Sequence, residues 1–191
     1  MSDAETIQHI MRLEGWPAFT NDPDDAGGPT KGGITLGTLS SWRKKPVTVE
    51  ILKNLDELEA RQIYASLYVV TPNYDRIEDN LLRAFIIDCG VLHGTGRASR
   101  WLQEACNAQR QAIGPDRVAH IPVLEIDGLL GNKSLAVINK MPGEWLRQRM
   151  IAKRLRFLGR VIQQGNNVKY AAGWLSRVAG YIDGPLDKTG D

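Results

Sequence analysis

One glutamate ahead of an acidic, glycine-rich run is the arrangement in this chain best suited to chemistry. Glu14 is followed by Gly15. Asp22, Asp24 and Asp25 then lie in a run that also holds Gly27, Gly28, Gly32, Gly33 and the hydroxyls of Thr30 and Thr35. A protonated carboxyl facing a second carboxylate across a cleft can protonate a leaving group. Its partner can stabilise developing positive charge or activate water. Ile7, Ile10 and Met11 mark the core-facing stripe of a helix, and residue 14 is the next position on that stripe. A carboxylate there is costly unless neutralised or hydrogen-bonded, and desolvation favours the protonated form that a general acid needs. From position alone, Glu14 could equally be a helix-terminal residue turned to solvent. Asp22 and Asp25 are the candidates for the second carboxylate, whereas Asp24 reads as turn chemistry. Three acids at a loop tip also suggest calcium, but the ligand spacing of an EF-hand is missing; no metal and no cofactor is expected.

The elements that must position these groups are mostly helical. Ser2 and Glu5 have capping-box spacing at the start of the first helix. Gly15 ends that helix and Pro17 forbids its continuation. Residues 20–36 read as a small β-hairpin, with Gly32-Gly33-Ile34-Thr35 as its return strand. A short helical turn follows over 36–46, then helices near 48–54 and 56–70, the latter opened by Asp56 and Glu59 and carrying Tyr64 and Tyr68. Further helices are expected at 79–93, 97–112, 133–140, 143–163 and 168–181. Residues 113–126 read as a loop and 183–191 as a frayed tail. The fold class is therefore mainly α, a helical bundle with one small β-hairpin. Asp88 sits in the apolar stripe of Leu81, Phe85 and Leu92, so it must be hydrogen-bonded or functional. His93 closes the same helix, where a histidine is often only a dipole partner.

With 191 residues the chain is long enough for a sizeable core, and 42% hydrophobic and 24% charged residues are ordinary for a globular protein. No apolar run is long enough to span a bilayer, and the first residues lack a signal-peptide core. Synthesis in the cytoplasm is expected, and any export must use some other route. Cys89 and Cys106 lie in apolar helical patterns and read as buried hydrophobes rather than a disulfide. Net charge is +2, yet residues 145–182 hold eight Lys and Arg and no acid. This asymmetry suggests a polyanionic partner, with a solvated helix face as the plain alternative.

The run from Glu14-Gly15 through Asn21-Asp22-Pro23-Asp24-Asp25-Ala26-Gly27-Gly28-Pro29-Thr30-Lys31-Gly32-Gly33-Ile34-Thr35 resembles the N-terminal signature of glycoside hydrolase family 108, peptidoglycan-cleaving N-acetylmuramidases of the phage endolysin and secretion-activator type. Phe85 to Gly94 is similar to that family's second block, and Tyr64 and Tyr68 fall on its tyrosine-rich helix. From about Ala98 the chain resembles the predicted peptidoglycan-binding domain that usually follows. That match rests on Trp101-Leu102-Gln103, Asp127-Gly128-Leu129-Leu130-Gly131 and Gly173-Trp174-Leu175-Ser176-Arg177. The chain departs from the pattern in two places. Trp16–Thr20 lengthens the Glu-to-Asn connection by two residues, and Leu92 replaces an asparagine.

The resemblance implies a lysozyme-like muramidase region at 1–97, a helical peptidoglycan-binding region at 98–185 and a tail at 186–191. Glu14 would be the catalytic acid and Asp22 or Asp25 its partner. Trp16, Thr30, Thr35, Tyr68, Asp88 and His93 are the substrate-binding candidates; the lengthened connection reshapes the cleft beside Glu14 or adds a sugar platform through Trp16 or Phe19, and the threonines hold water or a substrate oxygen. The resemblance further implies a monomer acting on peptidoglycan in the periplasm, reached through a holin-like pore or another export route, with no nucleic acid partner. The competing reading is a non-catalytic wall-binding or nucleic-acid-binding protein that uses the basic helix 147–160.

Overall fold

The computed structural model describes residues 1–21, 28–113, 121–165 and 167–182. The chain divides into two compact units, Ser2–Thr71 and Pro72–Asp191. Helices dominate, and the described strands form one three-stranded antiparallel sheet.

In the first unit, α1 (Asp3–Leu13) starts with both arms of its capping box closed. The Ser2 N–H donates to Glu5 Oε2 at 2.7 Å, and the Glu5 N–H donates to Ser2 Oγ at 3.3 Å. Ile7, Ile10 and Met11 are buried, and α1 packs on α4 (Glu57–Ala65), which buries Ala60, Ile63 and Tyr64. The end of α1 is a Schellman motif. Gly15 adopts φ +82°, its N–H donates to Arg12 O at 3.0 Å, and the Trp16 N–H donates to Met11 O at 2.9 Å. Glu14 is thus the C-cap residue, on a backbone fixed from both sides.

Strands β1 (Phe19–Thr20), β2 (Thr30–Lys31) and β3 (Ile34–Thr35) follow in sheet order β1-β2-β3. Gly32 and Gly33 form the two-residue turn of β2–β3, with φ +49° and +77°, rather than the start of the return strand. A two-residue hairpin whose twist matches its strands requires positive φ at both central positions. Helices α2 (Leu36–Arg43) and α3 (Val49–Lys53) close the unit around Leu39 and Leu52.

The long helix expected over 56–70 is α4 followed by a π-turn at Ser66–Val70, in which the Thr71 N–H donates to Ser66 O at 2.9 Å. Asp56 caps α4 through the Glu59 N–H at 2.8 Å. The Glu59 carboxylate does not reach back to complete a capping box. It accepts from Arg43 Nε at 2.8 Å and Nη2 at 2.5 Å, and this pairing is the main reason it is held below the usual carboxylate range.

The second unit is built on α5 (Asn80–His93), α6 (Thr95–Ile113), α7 (Asn132–Ile138), α8 (Gly143–Gln164) and α9 (Val168–Ala179). α5 packs on α6 and α8, α6 on α7 and α8, and α8 on α9. Ala84–Gly90 of α5 are all buried, including Asp88. Cys89 and Cys106 are buried free thiols, both pushed up to about 12 by burial. Buried Gln103 fastens the 127–131 turn to α6: Nε2 donates to Asp127 Oδ1 at 2.7 Å and Leu129 O at 3.0 Å, and Oε1 accepts the Gly128 N–H at 2.9 Å. The turn needs glycine there, because Gly128 has φ +84° and a Cβ would lie 2.8 Å from Gly96 O. No helix among the described residues is long and apolar enough to cross a membrane.

Candidate active site

Glu14 is half-buried where the stripe of α1 runs out of the core. Its side chain lies against the turn of the β2–β3 hairpin. A Cβ added to Gly33 would stand 3.3 Å from Glu14 Cβ, 3.5 Å from Glu14 Cγ and 2.5 Å from Tyr64 Oη. Gly33 therefore lets backbone, acid and phenol meet where no larger residue fits. Buried Tyr64 donates its hydroxyl to Gly32 O at 3.0 Å, tying α4 to the same turn.

One helical step further, Tyr68 sits on the π-turn with its ring 5.5 Å from that of Tyr64. Burial, with Glu14 as the second cause, raises the Tyr68 hydroxyl above its usual range. Tyr68 therefore stays a neutral phenol, within electrostatic reach of the Glu14 carboxyl. A π-turn admits an extra residue per turn and often marks a functional site; here it sets the register of this tyrosine.

The connection that departs from the family pattern lines the same wall. Trp16 follows the helix cap and packs on Gly32, where a Cβ would come within 2.6 Å of its ring. Lys31 Nζ lies 5.2 Å from the centre of the Trp16 ring and donates to Lys53 O at 2.6 Å and Leu55 O at 2.9 Å. The Trp16-Pro17 peptide is cis. Thr30 Oγ1 donates to Gly28 O at 2.9 Å. Thr35 caps α2, accepting the Thr38 N–H at 3.1 Å and sharing a 2.9 Å hydrogen bond with the Thr38 hydroxyl. The sequence candidates Glu14, Trp16, Thr30, Thr35 and Tyr68 all belong to this unit. Asp22, Asp24 and Asp25 lie outside the described residues.

Asp88 and His93 belong to the second unit. The Asp88 side chain is fully buried. It accepts from Arg154 Nη1 at 2.6 Å through Oδ2 and from Arg177 Nε at 2.8 Å through Oδ1. That geometry pins α8 and α9 to α5 and leaves the carboxylate no face toward solvent. His93 packs among aromatic rings, 5.3 Å from Trp101 and 5.2 Å from Phe157. Burial first, and then Arg154, pushes its imidazole down to about 4.

The basic stretch of α8 and α9 is largely consumed inside the unit. Arg154 and Arg177 hold Asp88, Lys153 pairs with Glu104 at 2.6 Å, Arg149 donates to Gln109 Oε1 at 2.8 Å, and Arg147 donates to Tyr181 O. Among the described residues no group of three or more His, Cys, Asp or Glu is placed to hold a metal ion.

The sequence had not singled out Gly33, or Tyr64 as distinct from Tyr68, for a role at the acid. The Tyr64–Tyr68 spacing of four, beside a Gly-Gly pair, was the available signal.

Comparison with known proteins fits this layout. Residues 7–94 match the family model "Glycosyl hydrolase 108", and residues 97–179 match "Predicted Peptidoglycan domain". No curated protein matches the chain. Among solved structures, SagA of Brucella abortus is similar at 26% identity with a TM-score of 0.71, over 94% of this chain and 91% of that one. Residues 7–94 are thus a glycosyl hydrolase 108 segment and residues 97–179 a predicted peptidoglycan domain, and together they make the chain a glycoside hydrolase that acts on peptidoglycan.

Proposed function

We propose that the protein is an N-acetylmuramidase that hydrolyses the β-1,4 bond between N-acetylmuramic acid and N-acetylglucosamine, with Glu14 as the general acid. The observation that supports this reading most directly is Glu14 itself. A carboxyl on a rigid helix cap lies against a glycine turn and within electrostatic reach of a neutral tyrosine.

In this mechanism Glu14 delivers its proton to the glycosidic oxygen as the bond lengthens. The sugar ring then develops oxocarbenium character, and Asp22 or Asp25 stabilises it or activates the attacking water. Tyr68 supplies a neutral hydroxyl beside the acid and adds no charge to compete with it. Trp16 offers an aromatic face for a sugar ring, already stiffened by Gly32 on one side and the Lys31 cation near its ring. The substrate places the working enzyme at the cell wall.

The test is digestion of purified murein followed by mass analysis of the soluble fragments. Reducing-end N-acetylmuramic acid is expected. Anhydro ends would point to a lytic transglycosylase, and free peptides would overturn the glycosidase mechanism. Glu14→Gln should abolish release while keeping the circular dichroism of the parent. Wild-type release by that variant would remove Glu14 from the chemistry.

A further inference from the structure

The first unit holds a cavity of about 490 Å³ between α2 and the π-turn. Gly37, Thr38, Ser41 and Trp42 line it from α2, Lys44 from the C-cap of that helix, and Leu67 from the π-turn. Both walls belong to segments next to those around Glu14: α2 follows β3 directly, and Leu67 precedes Tyr68 in the chain. The chemistry at Glu14 uses none of these six residues.

Trp42 is a fixed aromatic platform. Its indole N–H hydrogen-bonds the Glu59 carboxylate, which Arg43 grips at 2.8 and 2.5 Å. An indole N–H lies in the ring plane, so this bond holds the ring by its edge and occupies neither face. Trp16, Trp101 and Trp174 each meet a cation or a second ring, whereas among the described residues Trp42 meets neither. The polar groups beside it have capacity to spare. Ser41 is exposed, and its hydroxyl makes no hydrogen bond among the described residues. Thr38 Oγ1 shares a single hydrogen bond with Thr35 Oγ1 at 2.9 Å, which leaves it able to bind again. Lys44 is exposed, and its ammonium has no ion-pair partner among the described residues. It occupies a left-handed helix end, φ +55°, a conformation in which helices commonly place glycine or asparagine. Lysine there brings a cation to the rim of the cavity.

An indole face, two hydroxyls, an aliphatic side chain and one cation, with no acid in the lining, suit a sugar acid. A pyranose ring has an apolar face of C–H bonds that can lie on an aromatic ring, and a rim of polar groups that seek hydroxyls. We propose that this cavity is a glycan subsite, which holds an N-acetylhexosamine ring of peptidoglycan on Trp42 and the carboxylate of its muramyl substituent at Lys44. Ser41 and Thr38 hydrogen-bond the hydroxyl and acetamido groups, and Leu67 packs on the acetyl methyl. The choice of peptidoglycan rests on the peptidoglycan-hydrolase reading; the sugar-acid chemistry rests on the cavity alone. The subsite grips the strand by groups that the reaction at Glu14 leaves unchanged.

The test is NMR titration of the isotope-labelled full chain, following the Trp42 indole N–H. Among the signals of the five tryptophans it is the one lost in Trp42→Leu. The first probe is N-acetylglucosaminyl-β-1,4-N-acetylmuramic acid, with a free lactyl carboxylate. The second is the same disaccharide with L-alanyl-D-glutamate on the lactyl group, and the third is N,N′-diacetylchitobiose, which has no carboxylate. None contains the bond assigned to Glu14, so a wrong acid or a wrong bond leaves this result standing. At least one muramyl probe should shift the Trp42 signal saturably and bind about threefold or more tighter than the chitobiose. Preference for the free lactyl acid assigns the ring's own carboxylate to Lys44, preference for the peptide-bearing probe assigns the stem, and either supports the subsite. Lys44→Gln alters an exposed side chain and should erase the preference. By calorimetry, Trp42→Leu should weaken the muramyl probe about fivefold or more while keeping the circular dichroism of the parent. The proposal is overturned if no probe moves the Trp42 signal, if chitobiose binds as tightly as both muramyl probes, or if Lys44→Gln keeps the full preference.

Discussion

Replacing Gly33 by alanine tests the idea that one glycine lets Glu14, Tyr64 and the hairpin turn share the same space. At φ +77° an alanine pays for the left-handed backbone, about 1–2 kcal/mol. Its Cβ would also stand 2.5 Å from Tyr64 Oη, closer than real contacts allow. The phenol must then leave Gly32 O, a buried 3.0 Å hydrogen bond that contributes roughly 0.5–1.5 kcal/mol. Together these give a destabilisation of about 1.5–3.5 kcal/mol. In urea unfolding, that loss should shift the midpoint without changing the slope. Tyr64→Phe removes the clashing oxygen while leaving the ring in place. Gly33→Ala/Tyr64→Phe should therefore be less destabilised than the two single variants added, by about 1 kcal/mol or more. Lysis should fall in Gly33→Ala, since the same Cβ presses on Glu14 Cβ at 3.3 Å. Strict additivity within about 0.3 kcal/mol would show that alanine and phenol do not compete for one space, and the account of this turn would fail.

Asp88→Asn leaves two arginines facing a neutral amide in a buried site, so it should cost about 3–5 kcal/mol in urea unfolding; a cost below about 1 kcal/mol would mean the pair is not holding the helices. His93 is held down to about 4 when folded and is near 6.5 unfolded. The unfolded state therefore binds more protons between these values, and stability should decline as pH falls from about 6.5 toward 4. His93→Gln should flatten that part of the stability profile, and an unchanged profile in the variant would refute the attribution. Thr35→Ala removes the α2 cap and should cost about 1 kcal/mol with turnover on murein kept. A tenfold loss of turnover at that small cost would instead put the Thr35 hydroxyl on the substrate.

Much of the first unit was legible because its signals are local. The capping box, the glycine that ends α1, the proline after it and the hairpin glycines each act within a few residues, so spacing alone announces them. The π-turn was not legible: Ser66–Val70 holds no glycine or proline to mark a break, and its widened turn shows only in the structure. The turn itself was misread for a related reason. Gly32 and Gly33 were read as strand because glycine permits both extended and left-handed backbone, and only the pairing of Lys31 with Ile34 decides between them. Glu14 stood out because its position on the stripe makes glutamate expensive. Its half-burial reflects the stripe reaching the helix cap, which periodicity alone does not reveal.

The basic second half shows that a composition signal can have a cause inside the fold as well as outside it. Eight cations without an acid over 145–182 invite an external polyanion. Several find partners elsewhere in the same unit: the carboxylates of Asp88 on α5 and Glu104 on α6, and the neutral amide of Gln109 on α6. A lone buried acid in one apolar helix and an acid-free basic stretch far along the chain are two halves of one observation. Each is costly alone, and each is explained by the other. The same pairing bears on the domain boundary. The glycosyl hydrolase match ends at residue 94, yet α5, which lies inside it, buries its charge against α8 and α9 of the peptidoglycan match. A cut between 94 and 97 would strand Asp88 without its arginines and bare the apolar face from Ala84 to Gly90. The two family segments are therefore distinct in sequence but share one core through α5, and the electrostatics of that core keep them together.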